Sequence, residues 1–200
     1  MKRNIFAGHL RSSGLSLAVF TEDELHEIHL ATLEVLGRTG VYVGDDAALA
    51  TFASGGCNVD RETGVVRIPS HVVEEAVRSA PSRFVPCGRD PARDYVMEAN
   101  RVGFTNFGEG VQVIDVNDGR LRPTTRQDVA DTAKLVDALA DVDVYERAVS
   151  AEDMPPESVP LHQFEAWVTN TSKPGFMGPM NGFLLDRIVE MAAAVCGGLH

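Results

Sequence analysis

The sequence is poor in cysteine and has no long apolar run. Its three cysteines are Cys57, Cys87 and Cys196, and none follows a C-x-x-C spacing. Isolated thiols of this kind exclude a disulfide framework and a cysteine zinc site. No stretch reaches the ~18 uninterrupted apolar residues of a membrane-spanning helix. The most apolar segment, from Phe183 to Val195, is interrupted by charged residues, so we expect no membrane association.

Positive charge is also scarce. Lysine and arginine total 18 against 29 aspartate and glutamate residues, which gives a formal net charge of −11 at pH 7. This balance repels phosphate backbones and argues against nucleic-acid partners, whereas it suits a small cationic substrate. The apolar run "LSLAVF" is short and precedes "TEDEL" rather than a cleavage site. We therefore expect no signal peptide and a cytoplasmic protein.

Catalytic motifs with a fixed spacing are absent as well. Neither a G-x-x-x-x-G-K-[ST] phosphate loop nor a G-x-S-x-G elbow occurs, and "GEGVQV" has only two of the three glycines of a dinucleotide fingerprint. A strand-like alternation follows those glycines instead of a helix, which excludes a phosphate cradle. His26 and His29 are three residues apart, whereas a zincin helix spaces its histidines by four. No metal site is predicted.

Helical patterns dominate the first part of the chain. Thr21 and Glu24 form a capping box before apolar residues at helical spacing, and Ser70 is expected to cap "HVVEEAVRSA". A third helix is predicted over 45–54, and "DRETGVVRIP" predicts a turn and a short strand. We expect an irregular arm over residues 1–20 and a helical region over 21–81.

Residues 82–123 have short β-prone runs separated by turn residues. The Asp118-Gly119 pair is a hairpin signal, so "VQVIDV" is expected to fold back onto "GRLRP". The whole stretch "GFTNFGEGVQVIDVNDGR" is interpreted as the beginning of this hairpin. We therefore predict a β-hairpin region over 82–123.

Residues 124–200 alternate between helical and strand patterns. Thr125 and Asp128 form a capping signature for a helix to about Ala140, and the strand candidates are "DVDVYERAVS" and "PGFMGPM". Each strand candidate is followed by a helical pattern. Helix, strand, helix, strand, helix with short connections indicates a parallel α/β structure, here two βα units.

Chemistry in parallel α/β folds collects where strands end. The residues following the two strand candidates are Ser150, Glu152, Asp153, Met180 and Asn181. Each has a structural alternative: the acidic pair can simply solvate a loop, and the last of the five can cap a helix.

Three segments in order resemble one known family: "TEDELHEIHLATLEVLGRTGVYV", "VRIPSHVVEEAVRSAPSRFVPCGRDP" and "GFTNFGEGVQVIDVNDGRLRPTTRQDVADTAKLVDALADVD". The string is similar to the amino-terminal part of the trimethylamine methyltransferase family, which includes glycine betaine methyltransferases. The resemblance implies the opening units of a (βα)8 TIM-type barrel over 124–200, preceded by the helical region and the hairpin elements. Because a complete barrel takes about 250 residues, we expect this chain to be an amino-terminal portion.

The resemblance also implies a function. Members move a methyl group from a methylated or quaternary amine, of the trimethylamine or glycine betaine type, to the cobalt of a corrinoid carried by a separate protein. No cofactor would be bound by this chain itself, and no catalytic residue is assigned. We also expect a homo-oligomer. Two alternatives stay open: a scaffold module that keeps only the family's amino-terminal part, and an unrelated α/β-barrel enzyme.

A quaternary ammonium has no N–H to donate, so its recognition falls to aromatic faces and a nearby carboxylate. Phe104, Phe107 and Glu109 combine both groups within one segment, and they are predicted to bind the substrate together with Asn181. The structural alternatives are core packing for the aromatic rings and a solvated turn for the glutamate.

Overall fold

A computed structural model describes residues 19–98, 101–178 and 181–198. These residues fall into two compact units, residues 19–82 and residues 83–198. All but the last two residues of the predicted arm, 1–20, lie outside the described part of the chain.

The amino-terminal unit combines three helices with a small sheet. Its elements are α1 (Glu22–Glu34) continued by a π-helical turn (Val35–Thr39), β1 (Val41–Tyr42), α2 (Asp46–Ser54), β2 (Asn58–Asp60), β3 (Val65–Arg67) and α3 (Ser70–Ser79). The predicted capping box is confirmed, because the Thr21 hydroxyl accepts from Glu24 N and the Glu24 carboxylate accepts from Thr21 N at 2.8 Å. All three predicted helices are present.

Two features of this unit differ from the sequence-based expectation. The predicted short strand is present as β3, but it is the centre of an antiparallel sheet of order β1-β3-β2 within the region expected to be helical, with Val66 fully buried. Ser70 is not a cap: Pro69 occupies the N-cap position without a side-chain bond, and Ser70 is the first helical residue. Pro69 has an extended backbone, with ψ 145°, which directs the chain into the helix, and no side chain accepts from the first backbone N–H groups of the helix at this position.

The carboxy-terminal unit has antiparallel strands first and alternating strands and helices afterwards. Its elements are β4 (Arg83–Phe84), a 3-10 turn (Pro91–Arg93), β5 (Met97–Glu98), β6 (Gln112–Ile114), β7 (Leu121–Pro123), α4 (Arg126–Ala138), β8 (Tyr145–Glu146), α5 (Val159–Val168), β9 (Gly175–Phe176) and α6 (Gly182–Cys196). The predicted order of helices and strands is confirmed, and so is the capping box of α4 formed by Thr125 and Asp128.

The predicted hairpin is present but shorter than expected. β6 and β7 pair antiparallel, with Val113 opposite Arg122, and Gly119 takes the positive φ of 73° that the tight turn requires. The segment from Gly103 to Gly110 does not belong to this hairpin. It bridges a different neighbour, in parallel, so the expectation that the whole stretch begins the hairpin is wrong.

That parallel neighbour is the strand region around β8. Thr105 bridges Val144 and Gly110 bridges Val149, both in parallel, while β8 pairs in parallel with β9 on its other side. Three adjacent chain segments thus run in one direction, and α4 and α5 connect them in sequence. The described residues form an α/β arrangement with small sheets.

Helices α4 and α5 cover one face of these segments. One buried cluster joins Val129, Val149 and Ala166, and a second joins Ala133, Val136 and Tyr145, with Trp167 packed against it. The ring centroid of Trp167 lies 5.8 Å from that of Tyr145 and 5.2 Å from that of Phe164. Burial raises the pKa of the Tyr145 hydroxyl.

Lys173 closes the carboxyl end of α4. Its ammonium donates to the carbonyl oxygens of Val136, Leu139 and Val142 at 2.6, 2.5 and 2.6 Å. Val136 lies in the last turn of α4 and the other two residues follow the helix. Carbonyl oxygens at this end are not used by the regular ladder of the helix, and a cation there interacts favourably with the helix dipole. Burial lowers the pKa of the Lys173 ammonium. The lysine therefore fixes the chain just before β9.

Candidate functional site

Two parallel strands end side by side on a carboxylate and an aromatic ring. Glu146, the last residue of β8, is the register partner of Phe176, the last residue of β9. Partners in a parallel ladder share one face of a sheet, and Tyr145 before Glu146 occupies the opposite, helix-covered face. Glu146 and Phe176 therefore lie on the face that α4 and α5 do not cover.

A second aromatic residue lies on the other side of Glu146. Thr105 bridges Val144 and Gly110 bridges Val149 with the same offset along the chain, and this offset, carried across the segment between the two bridges, puts Phe107 level with Glu146. Phe107 is 85% exposed and Phe176 is 44% exposed, so both rings are available to a ligand. We call Phe107, Glu146 and Phe176 the strand-end cluster.

The carboxylate of Glu146 lies against a glycine and is not used by the protein. A Cβ atom added at Gly108 would lie 2.9 Å from both Cγ and Oε1 of Glu146. Within the described residues this carboxylate makes no hydrogen bond and no ion pair, although the side chain is partly buried. A partly buried, unpaired carboxylate attracts a cation, and neighbouring aromatic faces suit one whose charge lies on methyl groups.

The predicted residues Phe104, Phe107 and Glu109 occupy different environments. Phe104 is 54% exposed, and its backbone N–H donates to Asp143 Oδ2 at 3.0 Å. Glu109 has a left-handed backbone, with φ 72°, and its carboxylate accepts from Arg147 at 2.5 Å. Arg147 also donates to Gln163 at 2.9 Å. The carboxylate of Glu109 is thus engaged in an ion pair, whereas that of Glu146 is not.

Asn181 lies at the beginning of α6. Its Oδ1 accepts from Leu184 N at 2.9 Å, which makes it the N-cap of the helix. Asp153 has a comparable task, because its Oδ1 accepts from Arg126 N at 2.7 Å at the beginning of α4. Both side chains satisfy helix termini. Met180, the neighbouring candidate, lies outside the described residues.

Sequence reasoning missed Glu146 and Phe176. The strands were expected to extend further, so their ends were sought at Ser150 and Asn181, whereas β8 ends at Glu146 and β9 at Phe176. One signal was present: in the alternating run "DVDVYERAVS", Glu146 follows the large aromatic Tyr145 and must face the other side of the sheet. A charged residue on that alternate face of a parallel strand indicates a site.

No metal centre is found in the part of the chain that the structure describes: nowhere there do three His, Cys, Asp or Glu side chains come together. His29 pairs with Glu74 at 2.7 Å, and this hydrogen bond lowers the pKa of the Glu74 carboxyl. Among the same residues, no helix is long and apolar enough to cross a membrane.

Sequence comparison gives the family. The family model described as trimethylamine methyltransferase (MTTB) matches residues 3–200. The chain belongs to the trimethylamine methyltransferase family. This confirms the resemblance identified from the ordered segments.

Individual members of the family include both substrate types. Trimethylamine methyltransferase MttB of Desulfitobacterium hafniense (strain DSM 10664 / DCB-2) is 43% identical over 198 residues, which are 99% of this chain and 40% of that protein. The enzyme of the same name from Methanosarcina thermophila is 41% identical over 176 residues, 86% of this chain and 36% of that protein. A glycine betaine methyltransferase of D. hafniense (strain Y51) is 29% identical over 182 residues, 90% of this chain and 37% of that protein.

The chain spans about two fifths of the length of the curated relatives that it matches. The strand-end cluster belongs to the shared region, since the family match covers all three of its residues.

Proposed function

We propose that the protein is a methyltransferase that takes a methyl group from a methylated or quaternary amine, and that the strand-end cluster holds the ammonium group. The observation that carries this proposal is the unpaired carboxylate of Glu146 aligned with Phe107 and Phe176 at the ends of parallel strands. Family membership supplies the reaction class. The parallel segments, each followed by a helix, are proposed to open a (βα)8 barrel, whose chemistry lies at the strand ends.

Recognition follows from the charge of the substrate. Methyl groups on a quaternary nitrogen carry the positive charge outward, so the rings of Phe107 and Phe176 attract them and Glu146 balances the charge. At an effective dielectric constant of ~20, a carboxylate and a cation ~5 Å apart attract each other by about 3 kcal/mol. The formal net charge of −11 adds a long-range attraction for cations.

Catalysis in this proposal consists mainly of positioning. When a quaternary ammonium gives up a methyl group, the C–N bond breaks, its electron pair stays on the nitrogen and the amine leaves as a neutral molecule, so no general acid is required. A tertiary amine would leave as a neutral molecule only from its N-protonated form. A corrinoid on a separate protein would supply cobalt as the methyl acceptor. Phe107 is 85% exposed, so a second protein can approach the bound ammonium from this side. The task of this chain is to hold one methyl group in line.

Calorimetry with tetramethylammonium, choline and glycine betaine tests the binding step. We expect at least one to bind, and Glu146→Gln to weaken that binding roughly tenfold, equivalent to ~1.4 kcal/mol. Phe176→Leu, which keeps an apolar side chain but removes the ring, is expected to weaken it roughly twofold to fivefold, since an exposed cation–π contact contributes ~0.5–1 kcal/mol.

Glu152→Gln is the matched control, because it removes the same charge from the exposed loop after β8. Equal affinities of the Glu146 and Glu152 variants would refute the assignment of the cluster. The transfer step is measured separately, as the decay of Co(I) absorbance when the quaternary amine is added to the protein with free reduced cobalamin. A protein that binds the amine but leaves the Co(I) spectrum unchanged would contradict the corrinoid assignment.

A further inference from the structure

The backbone ladder beside Glu146 is interrupted. At one end of the interruption Val144 N donates to Phe104 O at 3.3 Å, and at the other Gly110 N donates to Ala148 O at 3.0 Å. Glu109 N also donates to Arg147 O at 2.8 Å, but among the described residues no backbone group of the neighbouring segment bonds to Glu146 N or O. The interruption coincides with the left-handed backbone of Glu109, which turns the chain away from a regular strand.

A side chain fills the interruption. The carboxamide of Asn106 accepts from Glu146 N at 3.0 Å and donates to Glu146 O at 2.6 Å. These are the two hydrogen bonds that a neighbouring strand would make with this residue. The same Nδ2 group donates to Phe107 O at 2.8 Å. One amide therefore binds the main chain of both Phe107 and Glu146.

The position of the Glu146 carboxylate depends on this amide. The Glu146 carboxylate has no hydrogen-bond or ion-pair partner among the described residues, so no such contact fixes its position. Two features of the protein place the carboxylate. The main chain of Glu146 is held by Asn106 on one side and by β9 on the other, and the absence of a side chain at Gly108 leaves room for the carboxylate there. Loss of the amide would remove both hydrogen bonds of the Glu146 main chain on the side of Phe107, and the nearest remaining restraint there would be the bond from Glu109 N to Arg147 O.

Only an asparagine provides these bonds at this distance. Alanine would leave Glu146 N, Glu146 O and Phe107 O without their partner, and serine is too short to reach all three atoms. Glutamine has the same groups, but its extra methylene displaces them.

We infer that Asn106 is a positioning residue, which sets the spacing between Phe107 and Glu146 and thereby the fit of the cluster to an ammonium group. This inference rests on the proposed function. It assigns to Asn106 no contact with the substrate: its effect on binding passes through Glu146.

A double-mutant cycle in the whole protein tests the inference, with tetramethylammonium as the calorimetric probe. Asn106→Ala is expected to weaken binding about fivefold when Glu146 is present, and less than twofold in the Glu146→Gln background, because a positioning effect disappears with the group that is positioned. Asn106→Ser is measured in parallel, and a thermal melt confirms that each variant is folded.

Each outcome separates the two proposals. Unchanged affinity in Asn106→Ala and Asn106→Ser, with a loss in Glu146→Gln, would overturn the role of Asn106 and leave the proposed function standing. A similar loss in both backgrounds would also overturn it, since Asn106 would then act independently of Glu146. No effect of Glu146→Gln would overturn the proposed function, and the inference with it.

Discussion

The ion pair between Arg122 and Asp128 connects the hairpin to helix α4, and its contribution to stability can be worked out from the structure. Two guanidinium nitrogens of Arg122 donate to the two carboxylate oxygens of Asp128, at 2.7 and 2.9 Å. Asp128 also accepts from the backbone N and the hydroxyl of Thr125, both at 2.8 Å. Hydrogen bonds from Arg122, followed by those from Thr125, lower the pKa of Asp128 from 3.8 to about 2.

The lowered pKa of Asp128 gives the size of its contribution to stability. A lowering of nearly two pH units corresponds to roughly 2.5 kcal/mol at neutral pH, because each unit contributes ~1.4 kcal/mol. Solvent screening of the accessible edge of the pair reduces the expected value to about 1–2 kcal/mol. We therefore expect Asp128→Asn to lower the free energy of unfolding by that amount at pH 7.

The pH dependence has a definite sign. The folded-state pKa lies below the unfolded value, so the stabilisation is present above the unfolded pKa of 3.8 and is lost as the pH falls toward about 2. The difference between the wild-type protein and Asp128→Asn should be constant above pH ~5 and shrink below pH ~4. A difference that stays constant from pH 7 to pH 3 would refute this reasoning.

Urea unfolding followed by tryptophan fluorescence measures these differences. Trp167, the single tryptophan, packs against Tyr145 and Phe164 within the same unit as Asp128. Asp131→Asn is the control, because Asp131 lies on the same helix with a side chain that is 61% exposed. Equal losses in the Asp128 and Asp131 variants would show that the bidentate pair contributes nothing specific.

Two further predictions concern glycine packing and helix capping. Gly175→Ala should lower the free energy of unfolding by roughly 2 kcal/mol, since the new Cβ would lie 2.3 Å from Trp167 Cζ2 and 2.5 Å from Tyr145 O. Gly178→Ala is the control and should be nearly neutral in the same urea titration, because a Cβ there meets no atom of the described residues within 4 Å. Asn181→Ala should cost about 1 kcal/mol of stability and Asn181→Ser much less, as expected for an N-cap, with calorimetric affinity for the ammonium probe unchanged; a loss of affinity at equal stability would instead make Asn181 a substrate-binding residue.

The local elements were predictable because their determinants lie close together in the sequence. A capping box spans four residues, as from Thr21 to Glu24, and the hairpin signal Asp118-Gly119 spans two, so both patterns identify their elements directly. The short strand β3 was predicted, but its partner β1 was missed because β1 is only two residues long and pairs with β3 about two dozen positions away. Short strands of this kind depend on distant partners rather than on local pattern.

In the candidate site, too, what the sequence can indicate depends on whether the residues lie close together along the chain. The sequence-based prediction and the proposed strand-end cluster share Phe107, but the prediction takes its carboxylate from Glu109, which is close in the sequence, whereas the proposed cluster takes it from Glu146. Glu146 is 39 positions after Phe107 and comes level with it only through the parallel register. No spacing rule indicates that register, because it depends on where α4 returns the chain. The ion pair of Glu109 with Arg147 likewise joins distant positions.

The amide of Asn106 has a consequence for how this sheet tolerates mutation. Strands are normally joined by backbone groups that every residue except proline carries, so the pairing itself accepts almost any sequence. Beside Glu146 the pairing is made by a side chain. At this point the connection between the two segments depends on the identity of residue 106. A substitution elsewhere in a strand changes only the side chain that the sheet presents, whereas a substitution of Asn106 would remove the inter-strand hydrogen bonds themselves.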